Sequence, residues 1–260
     1  MRLLTDYIAS RKIANSGRVE GYSNIYFETN ENLVDMHRQI DFLDKDVLTV
    51  LASSDQVYTA RYMGAKKVDS FDRNPLAIYY YYLRQWTIKY MNQVYPYPVE
   101  DNNYDWLEKL LSMVRVSTKE EANAYAFWKK HAEVKTRFDK LFYRDQPDGK
   151  VLFKSTQSIG GVVDYPMEFT CFDLFEENDL GKEYDIVMTS NILELNKGDT
   201  KKLEIAEENL SRLVKQGGLV LCSSLLARTD RAIEKEKRIF DSNFEYEDYG
   251  RGVGYSYRKR

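Results

Sequence analysis

The feature that most constrains the fold is an alternation. Short β-branched apolar runs, each ending in a polar turn, are separated by stretches with helical periodicity. The runs are Val47 to Ala52, Val68 to Asp72, Glu168 to Phe172, Tyr184 to Thr189 and Leu219 to Ser223, with a further strand-like stretch at Val151 to Phe153. Strands that alternate with helices build βαβ units and hence a mostly parallel sheet. The end of the chain, Phe244 to Tyr249 and Val253 to Tyr257 around Gly250 and Gly252, reads as a hairpin. The expected fold is a Rossmann-like, doubly wound α/β domain with a seven-stranded, mostly parallel sheet and a terminal antiparallel hairpin. A chain of 260 residues suits one such domain, 1–260, with a helical N-terminal cap over 1–45 and a helical insertion over 93–150.

The helical stretches carry their own signals. An opening helix has Leu3, Leu4, Tyr7 and Ile8 near one face, and a second follows Asn30 with Leu33, Met36, Ile40 and Leu43 at spacings of three and four. His37 is expected on the exposed side of that helix. Pro75 sits where a helix starts, a position that proline favours. Ser117 and Thr118 followed by Glu120 and Glu121 mark another start. His131 falls on the apolar stripe of that helix, as a core histidine does. The run Tyr79 to Tyr82 circles a helix, which suits packing against the insertion. A helix with Leu203, Ala206, Leu210 and Leu213 is expected to close at Gly217-Gly218 as a C-cap. Arg258, Lys259 and Arg260 read as a solvated tail.

Composition removes several functional classes. With 38 Lys+Arg against 41 Asp+Glu, mixed along the chain, the net charge is −3, which gives no electrostatic case for wrapping nucleic acid. No apolar run approaches the ~20 residues of a membrane span, so no membrane span is expected. The opening residues lack a secretory pattern. The two cysteines, Cys171 and Cys222, lie in strand-like runs and read as buried, reduced thiols of a cytoplasmic protein. No metal-ligand spacing and no Gly-x-Ser-x-Gly elbow occurs, so no metal is expected and no catalytic side chain is singled out.

Open α/β sheets bind ligands beyond the carboxyl ends of their strands. Asp72 then stands where a carboxylate accepts from ribose hydroxyls, Asp173 where one accepts from an adenine amine, and Asn191 offers an amide after the fourth strand. The first turn, Ala52-Ser53-Ser54-Asp55, has no glycine, which weighs against a pyrophosphate ligand.

Val47 to Gln56, followed by Gly64 to Pro75 with its Asp72-Arg73-Asn74-Pro75 helix start, resembles class I S-adenosylmethionine-dependent methyltransferases. Tyr184 to Val187 and Leu213 to Leu219 are similar to that fold's fourth-strand and pre-fifth-strand segments. Residues 45–115 look closer to the branch containing the betaine-lipid enzyme that transfers a 3-amino-3-carboxypropyl group. Ser54 stands where that branch carries glycine. The resemblance implies S-adenosyl-L-methionine as cofactor, held by Ala52, Ser53, Ser54, Asp55, Asp72, Arg73, Asn74, Phe172, Asp173 and Asn191. The turn's amides and hydroxyls would take the cofactor's carboxylate and Asp55 its ammonium. Tyr26, Glu28 and Asn30 would line the side of a small-molecule acceptor. The implied activity is methyl transfer, with aminocarboxypropyl transfer and a non-catalytic adenosyl-binding module as alternatives. A nucleic-acid methyltransferase is disfavoured, because Ser190 to Leu193 does not resemble an Asn-Pro-Pro-Tyr motif.

Overall fold

The computed structural model describes residues 25–26, 33, 37–96, 98, 101–135, 142–143, 167–177, 180–195, 198–223, 230–248 and 254–260. The chain divides into two compact units. One gathers 1–30, 51–55 and 74–165; the other gathers 31–50, 56–73 and 166–260.

The second unit holds the large sheet. Its strands are β2 (Asp46–Val50), β3 (Lys67–Asp72), β5 (Phe169–Cys171), β6 (Tyr184–Ser190), β7 (Val214–Ser223), β8 (Phe244–Asp248) and β9 (Gly254–Lys259). They lie in the order β5-β3-β2-β6-β7-β9-β8, the first five parallel and β9 antiparallel to both its neighbours. The expected seven-stranded sheet with its terminal antiparallel hairpin is therefore present. Val47, Leu48, Thr49 and Val50 are all buried, as a central parallel strand covered on both faces requires. Helices α1 (Asp55–Tyr62), α5 (Ile192–Leu195), α6 (Thr200–Leu213) and α7 (Asp230–Phe240) follow their strands. α6 buries Leu203, Ala206, Leu210 and Leu213, the stripe read from the sequence, and Asp199 caps it by accepting from the Lys202 amide at 3.2 Å. Phe240 stacks on Tyr257 at 4.5 Å and sits 5.7 Å from Phe244, closing the hairpin side of the core.

The first unit is helical: α2 (Ala77–Met91), α3 (Tyr104–Met113) and α4 (Lys119–Val134), with a short parallel pair of β1 (Ile25–Tyr26) and β4 (Phe142–Tyr143). Three of the four consecutive tyrosines, Tyr79, Tyr80 and Tyr81, are buried. Tyr79 meets Phe127 of α4 at 5.0 Å, and the Trp128 indole donates to the Tyr79 carbonyl at 2.8 Å. The start signal before α4 is a complete capping box between Thr118 and Glu121. Burial in this aromatic cluster lowers the His131 pKa to about 4.

Several expectations are corrected. α6 ends at Leu213 and β7 begins at once, so Gly217 and Gly218 are not a helix cap. They belong to a bulge, where the register jumps from Tyr184 opposite Val214 to Ile186 opposite Leu219. Arg258 to Arg260 is no solvated tail. Arg258 and Lys259 lie in β9, where the Lys259 ammonium donates to the carbonyls of Ser211 and Val214 at 2.6 Å and Arg258 pairs with Glu247 at 3.1 Å. Lys259 thereby takes up orphan carbonyls at the end of α6. His37 is buried beside Phe42, and burial lowers its pKa to about 3. Leu43, expected in the same helical stripe as Leu33, is 63% exposed. Cys222 is buried as expected, but Cys171 is exposed.

The opening helix, Asn30 as its neighbour's cap, and the strand-like stretch Val151 to Phe153 fall outside the described residues. No helix among the described residues is long and apolar enough to cross a membrane.

Candidate functional site

In the sheet unit, β3 and β5 are parallel neighbours whose last residues, Asp72 and Cys171, are register partners. Both strands thus deliver their following turns to the same edge of the sheet. Asp72 is half-buried at its strand end and Arg73 is exposed. Phe172 is buried by stacking on Phe71, with ring centroids 4.5 Å apart and planes at 25°. That stack fixes the start of the turn after β5. Next in line, the Asp173 carboxylate accepts from the Phe175 amide at 3.0 Å with one oxygen, and the other lies 3.9 Å from the Arg73 guanidinium. The structure therefore brings Asp72, Arg73, Phe172 and Asp173 together. Arg73 being mostly exposed, its pairing with Asp173 is worth little by itself.

The turn after β6 begins with Ser190, whose φ is +55°, and continues into half-buried Asn191. The side chain of Thr189 fastens this strand end to β7, donating to the Leu221 carbonyl at 3.3 Å. Glu194 in α5 is fully buried, a feature that no sequence pattern marked.

The first turn, Leu51–Asp55, groups with the helical unit. Two of its residues have left-handed backbones, Ala52 at φ +40° and Ser54 at φ +73°. Residues with a Cβ adopt this region at a cost, and such strain concentrates at ligand sites. The turn thus has the backbone that glycine usually supplies, without glycine. The Ser54 hydroxyl is buried and has no hydrogen-bond partner among the described residues. A buried polar atom in that state calls for an explanation, and a polar ligand is one.

Asp55 is fully buried. Its carboxylate accepts from Arg84 at 3.0 Å, from the Tyr95 hydroxyl at 2.8 Å and from the Ser53 hydroxyl at 2.7 Å. These internal donors reach both oxygens, and through them the side chain shapes the turn. Arg84 and Tyr95 were missed by reasoning from the sequence. Arg84 did leave a signal: it is the one cation between Ala77 and Ile88, in a helix that is otherwise apolar or uncharged there, and a cation so placed needs a buried acid. Burial first, and then the Asp55 charge, raise the Tyr95 pKa well above the ordinary tyrosine value. Asn74 is a helix starter. Its side chain accepts from the Leu76 amide at 3.1 Å and its carbonyl from Ala77 at 3.0 Å. Of the residues expected on the acceptor side, Tyr26 lies in β1, while Glu28 and Asn30 fall outside the described residues.

The layout of the sheet is the one that the resemblance to class I methyltransferases implies. Among solved structures the chain is similar to the glycopeptide N-methyltransferase MtfA complexed with S-adenosyl-L-homocysteine, at 12% identity and a TM-score of 0.46 over 95% of each chain. It is also similar to a TehB-like methyltransferase from Corynebacterium glutamicum, at 9% identity and a TM-score of 0.44 over 92% of this chain and 90% of that one. A third match is a ribosomal protein L11 methylase from Lactobacillus delbrueckii subsp. bulgaricus, at 13% identity and 0.42 over 88% and 77%. No family model matches the sequence, and no curated protein matches it.

Proposed function

We propose that this protein is an S-adenosylmethionine-dependent transferase that moves a methyl group to a small molecule. The observation that carries the reading is the pairing of strand ends in the sheet unit, where Asp72 ends β3 and Asp173 follows the end of its parallel neighbour β5, next to the Phe71–Phe172 stack. Asp72 is the acceptor for the ribose hydroxyls. Asp173 accepts from the adenine amine, and Phe172 and Arg73 frame that turn. Asn191 adds an amide at the end of β6. In the first turn, the Ser54 hydroxyl and the amides around Ala52 and Ser53 take the carboxylate of the cofactor's amino-acid end. Asn74 holds the chain at the start of α2. Tyr26, Glu28 and Asn30 are assigned to the acceptor side.

The bound cofactor supplies a methyl group on a positively charged sulfur. Transfer of that methyl to the acceptor's nucleophile, with the acceptor's proton lost to solvent, would leave S-adenosylhomocysteine. The chain contributes position and a field suited to a dispersing positive charge. The balanced net charge supports a small acceptor in preference to nucleic acid.

Isothermal titration with S-adenosylmethionine tests the binding. Asp72→Ala should weaken it by roughly 1.5–3 kcal/mol for each lost hydrogen bond to the carboxylate, with folding little changed. Unchanged affinity in the folded variant removes the ribose assignment. Mass spectrometry of the products tests the chemistry. Acceptor-dependent S-adenosylhomocysteine is expected. Methylthioadenosine in its place would mean aminocarboxypropyl transfer, and tight binding with neither product across a broad acceptor screen would mean a binding module.

A further inference from the structure

The side chain of Arg84 is fully buried and reaches three parts of the chain at once. It donates to the Asp55 carboxylate at 3.0 Å, to the Ser53 carbonyl, and through Nε to the Val94 carbonyl at 3.3 Å. Its guanidinium also lies 4.2 Å from the centre of the Tyr95 ring, and the Tyr95 hydroxyl donates to the same Asp55 oxygen. A buried ion pair stabilises a fold poorly, because the cost of desolvating both charges offsets their attraction. What such a pair does supply is a defined geometry. Here it grips a turn whose two left-handed residues, Ala52 and Ser54, lack the freedom of glycine.

We propose that Arg84 is a positioning residue that holds the first turn in its left-handed, ligand-ready form by gripping the Ser53 carbonyl and the Asp55 carboxylate. Tyr95 supports it from beside the guanidinium, donating to the same Asp55 oxygen. This rests on the reading of the first turn as the seat of the cofactor's amino-acid end. The argument is chemical: a planar guanidinium serves several acceptors in fixed directions, whereas an ammonium is a single point charge. Lysine at this position therefore keeps the charge and loses the grip.

The test compares the full chain with Arg84→Lys, and with Arg84→Lys combined with Ala52→Gly. Two readouts are taken: S-adenosylmethionine affinity by titration, and amide hydrogen exchange across 52–55 without any ligand. Arg84→Lys should keep a cooperative unfolding transition, exchange the turn's amides at least about tenfold faster, and bind about tenfold or more weakly. Ala52→Gly relieves the left-handed backbone at φ +40° and should recover several-fold of the lost affinity. A merely structural role for Arg84 gives no such rescue. Unchanged exchange in folded Arg84→Lys, or failure of glycine to recover affinity, overturns the proposal. If Arg84→Lys does not fold, Tyr95→Phe, which deletes one donor to Asp55, must accelerate exchange over 52–55 or the proposal falls. If the wild-type protein binds no S-adenosylmethionine, the functional reading fails, while the exchange comparison still decides what Arg84 does.

Discussion

His131 and His37 are single residues with a consequence for stability. Burial lowers both pKa values, to about 4 and about 3, from an ordinary value of 6.5. In each case the folded state resists a proton that the unfolded chain accepts readily. Stability is therefore full above pH 6.5 and is lost as pH falls towards the folded values. Between pH 7 and pH 5 each histidine should remove about 2 kcal/mol, since one pKa unit of difference is worth about 1.4 kcal/mol. Urea unfolding at both pH values measures this. His131→Met should cut the pH dependence by about half, and an unchanged slope would show that carboxylates dominate instead. At this scale the sequence was informative for His131, on an apolar stripe, and misleading for His37. His37 follows Leu33 by four residues and its amide donates to the Leu33 carbonyl at 3.0 Å, so it shares the buried face of Leu33 instead of the solvent side. Asp55 shows a further limit. Its partner Arg84 is 29 residues away, and no local pattern predicts that pairing.

Elements divide in the same way. The strands could be read because apolar runs covered on both faces look alike in any parallel sheet. The backbone inside the turns could not, because Ala52, Ser54 and Ser190 take left-handed φ without glycine to announce it. Glycine also misled in the opposite direction at Gly217-Gly218, where a C-cap was expected and a bulge of β7 is found. A Cβ on Gly218 would lie 2.8 Å from the Asp185 carbonyl oxygen of β6 and 2.9 Å from that of Lys215. Backbone oxygens cannot swing aside as a side chain can. Gly218→Ala should therefore cost roughly 1–3 kcal/mol, as overpacking of a tight core does. A thermal melt checks it. An unchanged melting temperature would mean that the bulge adapts.

At the scale of the molecule, the chain passes between its two units at 30/31, 50/51, 55/56, 73/74 and 165/166. Neither unit is a continuous stretch, so neither can be cut out as a single segment, and unfolding one turns its segments into flexible loops that the other must close. A single cooperative unfolding transition is expected on that ground. The sequence carries its own probes for the experiment. All three tryptophans, Trp86, Trp106 and Trp128, belong to the helical unit, and buried Cys222 belongs to the sheet unit. Tryptophan fluorescence and thiol labelling of Cys222 should give one urea midpoint. Two separated midpoints would show that the units unfold independently.

The exposure of Cys171 makes the sheet unit its own reporter. One of the two thiols can be reached from solvent and the other cannot, so a thiol-selective dye attaches at a single place, the last residue of an edge strand, level with Asp72. Partial burial of the sulfur, and then the Asp72 charge, hold that thiol near a pKa of about 11, so labelling is slow at neutral pH and quickens in alkali. A nucleoside seated on Asp72 would change the rate. The chain thus offers a ligand assay that needs no knowledge of the acceptor and no added tag.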